Sequence, residues 1–248
     1  LKGDRAEAGA GSARAAVATH AIARLDDALL AEGVAALARV DDDLAALAAR
    51  FGTPPLWLRE PGFPTLIHFI LEQQVSLSAA RAMFARLKAA ANPLTPAGFL
   101  ALDDETLRAC GFSRQKQSYA RALARDLLAG VLDLDALATM DDRTAHDRLV
   151  ALHGIGSWTA NVYLLMALGR PDAWPSGDLG IVVALQRVKQ LPARPTEREA
   201  VVLAEPWRPW RAVAARLLWS EYLEWQRSNP PPRRRATPSP SDVEGMEA

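Results

Sequence analysis

Segments of helical length rich in Ala and Leu follow one another from about residue 21 to residue 227, each closed by Pro, Gly or Asp, and alternating β-branched runs are few. Ala and straight-chain residues lose little freedom in a helix, and a half-buried strand needs the alternation this chain lacks, so the expected class is all-α. The spacing predicts helices over 21–32, 34–50, 63–73, 77–91, 103–110, 114–129, 141–151, 157–168, 179–190, 196–204 and 209–227. Half of the 248 residues are hydrophobic, which is enough for a substantial core. No repeat with a period of ~20–50 residues points to a solenoid. The longest apolar stretches, such as Ile181 to Leu185, fall far short of the ~18–20 residues needed to cross a bilayer, so no membrane partner is expected.

Lys plus Arg and Asp plus Glu both number 29, giving a formal net charge of zero. No global positive field draws in nucleic acid, so any DNA contact must come from local patches. The single cysteine, Cys110, excludes an internal disulfide and a Cys-ligated zinc or iron–sulfur cluster, which makes a reducing cytoplasm the expected setting, with nucleoid association if the source is prokaryotic. Residues 1–17 lack a sustained apolar stripe and read as a flexible leader. From Asn229 the run Asn-Pro-Pro-Pro-Arg-Arg-Arg cannot form a helix, so 229–248 is expected to be a disordered tail after a helical domain over 18–228. The triplet Arg233 to Arg235 either touches phosphates or is simply solvated.

Helical spacing is strong at Phe63, Leu66, Ile67, Ile70 and Leu71 and again at Ala79, Ala80, Met83, Phe84 and Leu87, but Glu72 to Val75 interrupt it. Ser76 can cap the second helix, which leaves Gln73 to Val75 as an inter-helix corner. Such a corner either holds side chains out toward a partner or only bonds neighbouring backbone.

Residues 152–160 read Leu-His-Gly-Ile-Gly-Ser-Trp-Thr-Ala before the apolar run Val162 to Leu168. Two glycines two apart allow a tight turn with positive φ, and the unpaired N–H groups that open the next helix attract an anion. A phosphate bound there is held without regard to base sequence. An ordinary helix–turn–helix corner would look the same. The segment Gly169 to Gly177 can extend ~27–30 Å, enough to return along a helix rising ~18 Å and bring Asp178 back beside the hairpin. Asp178 can cap the helix that follows it and, at the same time, face a developing positive charge. Asp172, after Pro171, reads as turn chemistry.

Leu152 to Ala160 together with Trp-Pro-Ser-Gly-Asp over 174–178 resemble the helix-hairpin-helix, Gly/Pro-rich loop and aspartate signature of the DNA glycosylase superfamily. Phe69-Ile-Leu-Glu-Gln-Gln-Val-Ser76, Gly111-Phe-Ser113 with Lys116, and Pro206-Trp-Arg-Pro-Trp-Arg211 resemble the 3-methyladenine DNA glycosylase II branch, over approximately residues 24–227. The resemblance implies a two-lobed helix-hairpin-helix fold with the hairpin over 141–168. Only about sixty residues precede the first matching helix, so the N-terminal β-domain of longer relatives is expected to be missing.

It also implies a monofunctional glycosylase, because Trp158 stands where bifunctional relatives carry a Schiff-base lysine. The substrate implied is double-stranded DNA containing alkylated, 3-methyladenine-type bases, met by a monomer. On this resemblance Asp178 is the catalytic carboxylate, and Trp158 and Trp219 offer aromatic faces to a cationic base. Gln74, and after it Val75, is the wedge that fills the space left by the flipped base. Gly154, Gly156, Ser157 and Thr159 form the phosphate-binding hairpin, and the carbonyls of Val150, Leu152 and Ile155 match a site for Na+ or K+. No organic cofactor is implied.

Trp219 lies off the stripe of Trp210, Val213, Ala214 and Leu217, which sets it apart from core packing. Trp207 and Trp210, flanking Arg208 and Arg211, read mostly as structural. Arg114, Lys116, Arg121 and Arg125 make a basic helix that either follows a phosphate backbone or is a solvated face. His20, His68 and His146 lack metal-ligand spacing, and His153 reads as a loop histidine. Two other classes remain open on the residues alone: a non-catalytic helix-hairpin-helix DNA-binding module and a helical protein-interaction domain.

Overall fold

A computed structural model describes residues 24–229. The 1–17 leader, His20, the first residues of the 21–32 helix and the tail from residue 230, with Arg233 to Arg235, lie outside the described residues. Among those described there are only helices and turns. In chain order they are α1 (Asp27–Val40), α2 (Asp42–Phe51), α3 (Phe63–Glu72), α4 (Leu77–Ala90), α5 (Pro96–Leu100), α6 (Asp104–Cys110), α7 (Arg114–Leu128), α8 (Asp142–Val150), α9 (Ser157–Met166), α10 (Leu179–Val188), α11 (Glu197–Ala204) and α12 (Arg211–Ser228), with short 3₁₀ turns at Ala136–Thr139 and Glu205–Trp207.

Two lobes result. In the first, α12 packs on α1, α2 and α10, so elements distant in sequence build one unit. In the second, α3 packs on α4, α7 and α9, and α9 on α8. Both α3 and α9 are sunk in the core: Leu66, Ile67, Phe69, Ile70 and Leu71 of α3 and Ala160, Tyr163, Leu164 and Leu165 of α9 are buried. Burying such side chains contributes roughly 1.5–3 kcal/mol each, which fixes α9, and with it the hairpin at its head, in the core.

The first two helices divide at Asp41 and not, as the spacing predicts, at Gly33. Gly33 is buried inside α1, and a Cβ there would stand 2.7 Å from the Trp210 ring and 2.9 Å from Val213. It is a close-approach glycine and not a breaker. Asp41 caps α2 and accepts bonds from Lys189 Nζ at 2.7 Å and from the Trp207 indole N–H at 2.7 Å, tying the helix pair to the C-terminal elements. Burial raises the Asp41 pKa, but the Lys189 and Trp207 bonds outweigh it and hold the carboxyl below its ordinary value. Trp207, 1% exposed, and Trp210, packed on Gly33, are structural.

The short α5 escapes the helical spacing, although Thr95 caps it onto the Gly98 N–H, Pro96 opens it, and its Phe99 packs against Phe63 and Phe112. The stripe expected on the last helix is too narrow a description. Ala212 to Leu218 are buried all round α12, and Trp210 precedes the helix as its N-cap.

The return loop before α10 is pinned by two charged groups. Arg170, fully buried, donates to the carbonyls of Leu137, Ala138 and Met140. Asp172, expected as turn chemistry, instead accepts from Arg208 Nη1 at 2.6 Å and Arg211 Nη2 at 2.9 Å. That clamp positions the segment delivering Asp178.

Candidate active site

The return loop brings Asp178 back to the hairpin. Gly177 at φ 78 closes the turn, and Asp178 caps α10 by accepting the Ile181 N–H on Oδ1 at 3.0 Å. The Trp158 indole N–H donates to Asp178 Oδ2 at 3.0 Å, and the Trp219 indole N–H donates to Oδ1 at 3.0 Å. Catalytic carboxylate and aromatic residues, expected as separate parts of a site, are thus one hydrogen-bonded unit. Each indole fixes one oxygen, and the capped backbone fixes the carboxylate plane. Both tryptophans are half-buried. Tyr222 borders the same place, its ring 2.8 Å from where a Cβ on Gly180 would stand.

The hairpin is more asymmetric than the Gly-x-Gly spacing suggests. Gly154 has φ 87, and a Cβ there would come within 2.3 Å of the Tyr119 ring. Gly156 has φ −87 and ψ 173, an ordinary extended conformation, so the expected positive φ holds at only one of the two. Gly156 is the N-cap of α9 with no side chain capping the first turn, and its Cβ position is open. That helix start presents unpaired amides outward, as anion binding requires.

Ser157 is exposed there, bonded to His146 Nε2 at 3.1 Å and Asn161 Nδ2 at 3.3 Å. Thr159 is 2% exposed and its hydroxyl faces inward, accepting from Gln73 Nε2 at 3.2 Å. Its side chain therefore meets no phosphate, and only its backbone N–H, in the first turn of α9, is placed for that part. The hydroxyl couples the hairpin to the corner.

The corner forms as predicted, with Ser76 accepting the Ala79 N–H. Gln73 turns inward to Thr159 and to the Gly154 carbonyl at 3.4 Å. Gln74 sits in the left-handed region at φ 58, and both it and Val75 are exposed. Between corner and hairpin runs a groove of about 900 Å³ whose lining includes Gln74, Val75, Tyr119 and Gly154 to Gly156. Asp178 is not in that lining. The groove belongs to the corner and the hairpin turn, not to the carboxylate.

Of the basic helix, two members point inward. Lys116 Nζ donates to the Leu71 and Gln73 carbonyls at 2.7 and 2.8 Å, closing the C-terminus of α3, and burial pushes its pKa down. Arg121 bonds the Leu100 and Leu102 carbonyls and Asp104. Only Arg114 and Arg125 are exposed. Lys116→Met should therefore cost about 1–2 kcal/mol of stability while the salt dependence of duplex binding keeps its slope. A slope reduced by ~1 at unchanged stability would make Lys116 a phosphate ligand after all.

The described histidines form no metal site. His68 stacks on Phe84 at 4.3 Å, its pKa lowered to about 4 by burial and by Arg59 and Arg81. His153 is exposed, edge-on to Tyr119. Among the described residues no three His, Cys, Asp or Glu side chains gather as metal ligands.

Three contributors carry little sequence signal. Gln73 as a tie to the hairpin and Tyr119 beneath Gly154 depend on long-range packing. Trp57, whose ring lies 6.1 Å from that of Trp219, sits in a Pro-rich connection with no periodicity to expose it.

A glycine hairpin opening a buried helix, with an aspartate returned to its first turn, defines a helix-hairpin-helix protein carrying a carboxylate site. The model of the HhH-GPD superfamily of base excision DNA repair proteins matches residues 67–209, and the chain belongs to that superfamily. DNA-3-methyladenine glycosylase 1 of Schizosaccharomyces pombe is 32% identical over 165 residues, covering 65% of this chain and 72% of that protein. DNA-3-methyladenine glycosylase 2 of Escherichia coli is 28% identical over 193 residues, covering 71% of this chain and 64% of that one. The solved structure of the Schizosaccharomyces pombe 3-methyladenine DNA glycosylase Mag1 in complex with abasic DNA superposes with a TM-score of 0.72 at 28% identity, over 76% of this chain and 95% of that one.

Proposed function

We infer that this chain is a monofunctional DNA glycosylase that flips alkylated, 3-methyladenine-type bases out of duplex DNA and hydrolyses the N-glycosidic bond, the first step of base excision repair. The observation that carries the reading is Asp178, set between two indole N–H donors at the head of the hairpin helix. Similarity to relatives named as 3-methyladenine glycosylases, one of them solved with abasic DNA, supports the substrate class.

The chemistry follows from the charge of the base. An N-alkylated purine is already cationic, so its bond to C1′ breaks with the electron pair leaving on the base and little acid catalysis is needed. Asp178 stabilises the oxocarbenium-like sugar and orients the water whose oxygen bonds to C1′, the water's proton passing to the carboxylate or to solvent. Trp158 and Trp219 line the place of the base. Gln74, with Val75 beside it, enters the vacated stack. The open amides at Gly156 and Ser157 take a phosphate. The turn carbonyls of Val150, Leu152 and Ile155 form a neutral oxygen set suited to Na+ or K+, although the Leu152 carbonyl already accepts the Ile155 N–H at 3.1 Å and has one lone pair left. An ion there would add positive charge beside the phosphate. The protein acts as a monomer.

No amine competes with water at the described site. Lys116 is held by two carbonyls, Lys189 by Asp41 and Asp43, and Lys88 is exposed on α4. Incubating the protein with methylated duplex in the presence of borohydride should release methylated base without a covalent protein–DNA adduct. Abundant trapped adduct, or strand scission without alkali, would contradict hydrolysis by water.

A further inference from the structure

The connection between α2 and α3, residues 52–62, contains no helix, yet it is held from several sides. Arg216, fully buried in α12, donates Nε to the Leu56 carbonyl at 2.9 Å, and its other bonds go to the Ala212 and Leu165 carbonyls. The Arg59 N–H donates to the Met166 carbonyl at 2.8 Å, and the Gly62 N–H to the Tyr163 hydroxyl at 2.9 Å. Between these anchors Trp57 adopts φ 48, a left-handed conformation that residues with side chains seldom take. Strain of this kind persists only where the surroundings over-determine it, and it gathers at ligand-binding places. The Trp57 ring packs against Trp219 with centroids 6.1 Å apart and planes at 68°, and it remains half-buried where Trp207 is sunk in the core. Its indole N–H makes no hydrogen bond among the described residues, unlike those of Trp158 and Trp219, which are committed to Asp178.

We propose that Trp57 is a third aromatic wall of the base pocket, presented by a pinned, left-handed loop beside Trp219, and that it contacts the cationic base. The proposal rests on the glycosylase reading above. A π-face beside a positively charged purine adds attraction that a neutral aliphatic wall would not supply. Trp158 and Trp219 are oriented by the carboxylate, whereas the Trp57 indole is not, so its ring is free to turn toward the bound base.

Trp57→Gly removes the ring while keeping a residue at ease with positive φ, so the loop is not strained by the change. Single-turnover release from duplex carrying one N-methylated purine is compared with affinity for abasic duplex, which has no base to stack. We expect release to fall roughly tenfold or more, abasic-duplex affinity to stay within about twofold, and Trp57→Phe to recover most of the rate. The thermal midpoint of Trp57→Gly should fall by no more than a few degrees, because the lost packing on Trp219 is partly offset by relief at φ 48. Wild-type release by Trp57→Gly would overturn the wall and leave the glycosylase reading standing. Equal losses in release and in abasic-duplex affinity, or a collapsed midpoint, would make Trp57 a structural residue and overturn the wall too. A wild-type protein that frees no base would overturn the glycosylase reading, and the wall with it.

Discussion

Asp178→Asn should abolish most base release, by roughly 100- to 1,000-fold in the single-turnover rate, because a neutral amide cannot stabilise a cationic sugar as a fixed carboxylate does. Binding to lesion duplex should stay within several-fold. The structure also predicts what the variant does to the fold. Asparagine is as good an N-cap as aspartate, so the bond from Ile181 survives. Its amide, however, has one acceptor oxygen where Trp158 and Trp219 present two donors, leaving one indole N–H facing an NH₂ group. That mismatch costs about 1–2 kcal/mol, a midpoint shift of only a few degrees in a domain of this size. Wild-type excision by a folded Asp178→Asn would remove the carboxylate from the mechanism. A collapse in stability would show that the bonds from the carboxylate to the two indoles hold the fold, since the cap itself is kept in Asp178→Asn.

Gly154→Ala should be the most damaging change at the hairpin. A methyl group there meets Tyr119 ring atoms at 2.3–2.7 Å in a backbone held at φ 87, so crowding and left-handed strain add. Together they cost roughly 2–4 kcal/mol. Affinity for damaged and undamaged duplex should fall alike, by about tenfold or more, since the displaced amides read phosphate and not base. Tyr119→Ala in the same chain relieves the crowding but not the φ, so the double variant should be more stable than the two single effects added together. Unchanged duplex affinity in a folded Gly154→Ala would reduce the turn to an ordinary corner.

What could be read in the residues was chiefly what depends on local spacing. Ser76 and Asp178 are caps because a short polar side chain precedes each apolar run, and the core faces of α3 and α9 follow from their periodicity. The return of Asp178 toward the hairpin was allowed by loop reach, since a nine-residue connection is long enough to run back along α9, and its pairing with Trp158 came from the resemblance. Whatever depended on a neighbour's identity was not. Gly33 looks like a breaker until Trp210 is seen against it, the inward turn of the Thr159 hydroxyl is set by Gln73, and Lys116 looks like a phosphate contact or a solvated charge until the end of α3 takes its ammonium. Asp172 likewise became a clamp through Arg208 and Arg211, 36 and 39 residues away. Trp57 is the extreme case, because its place is set through the preceding Leu56, whose carbonyl is held by a buried arginine 160 residues beyond it.

On the proposed function, Asp178, between its two tryptophans, directs water onto the sugar of a flipped, N-alkylated purine. Single-turnover incubation with duplex bearing one such base, followed by chromatographic identification of the freed base and strand analysis with and without alkali, tests it most directly. The wild-type protein is expected to free methylated base and to leave a strand that stays whole until alkali is added, and Asp178→Asn is expected to free almost none. No freed base from the folded wild-type chain, or equal release from Asp178→Asn, would contradict that reading.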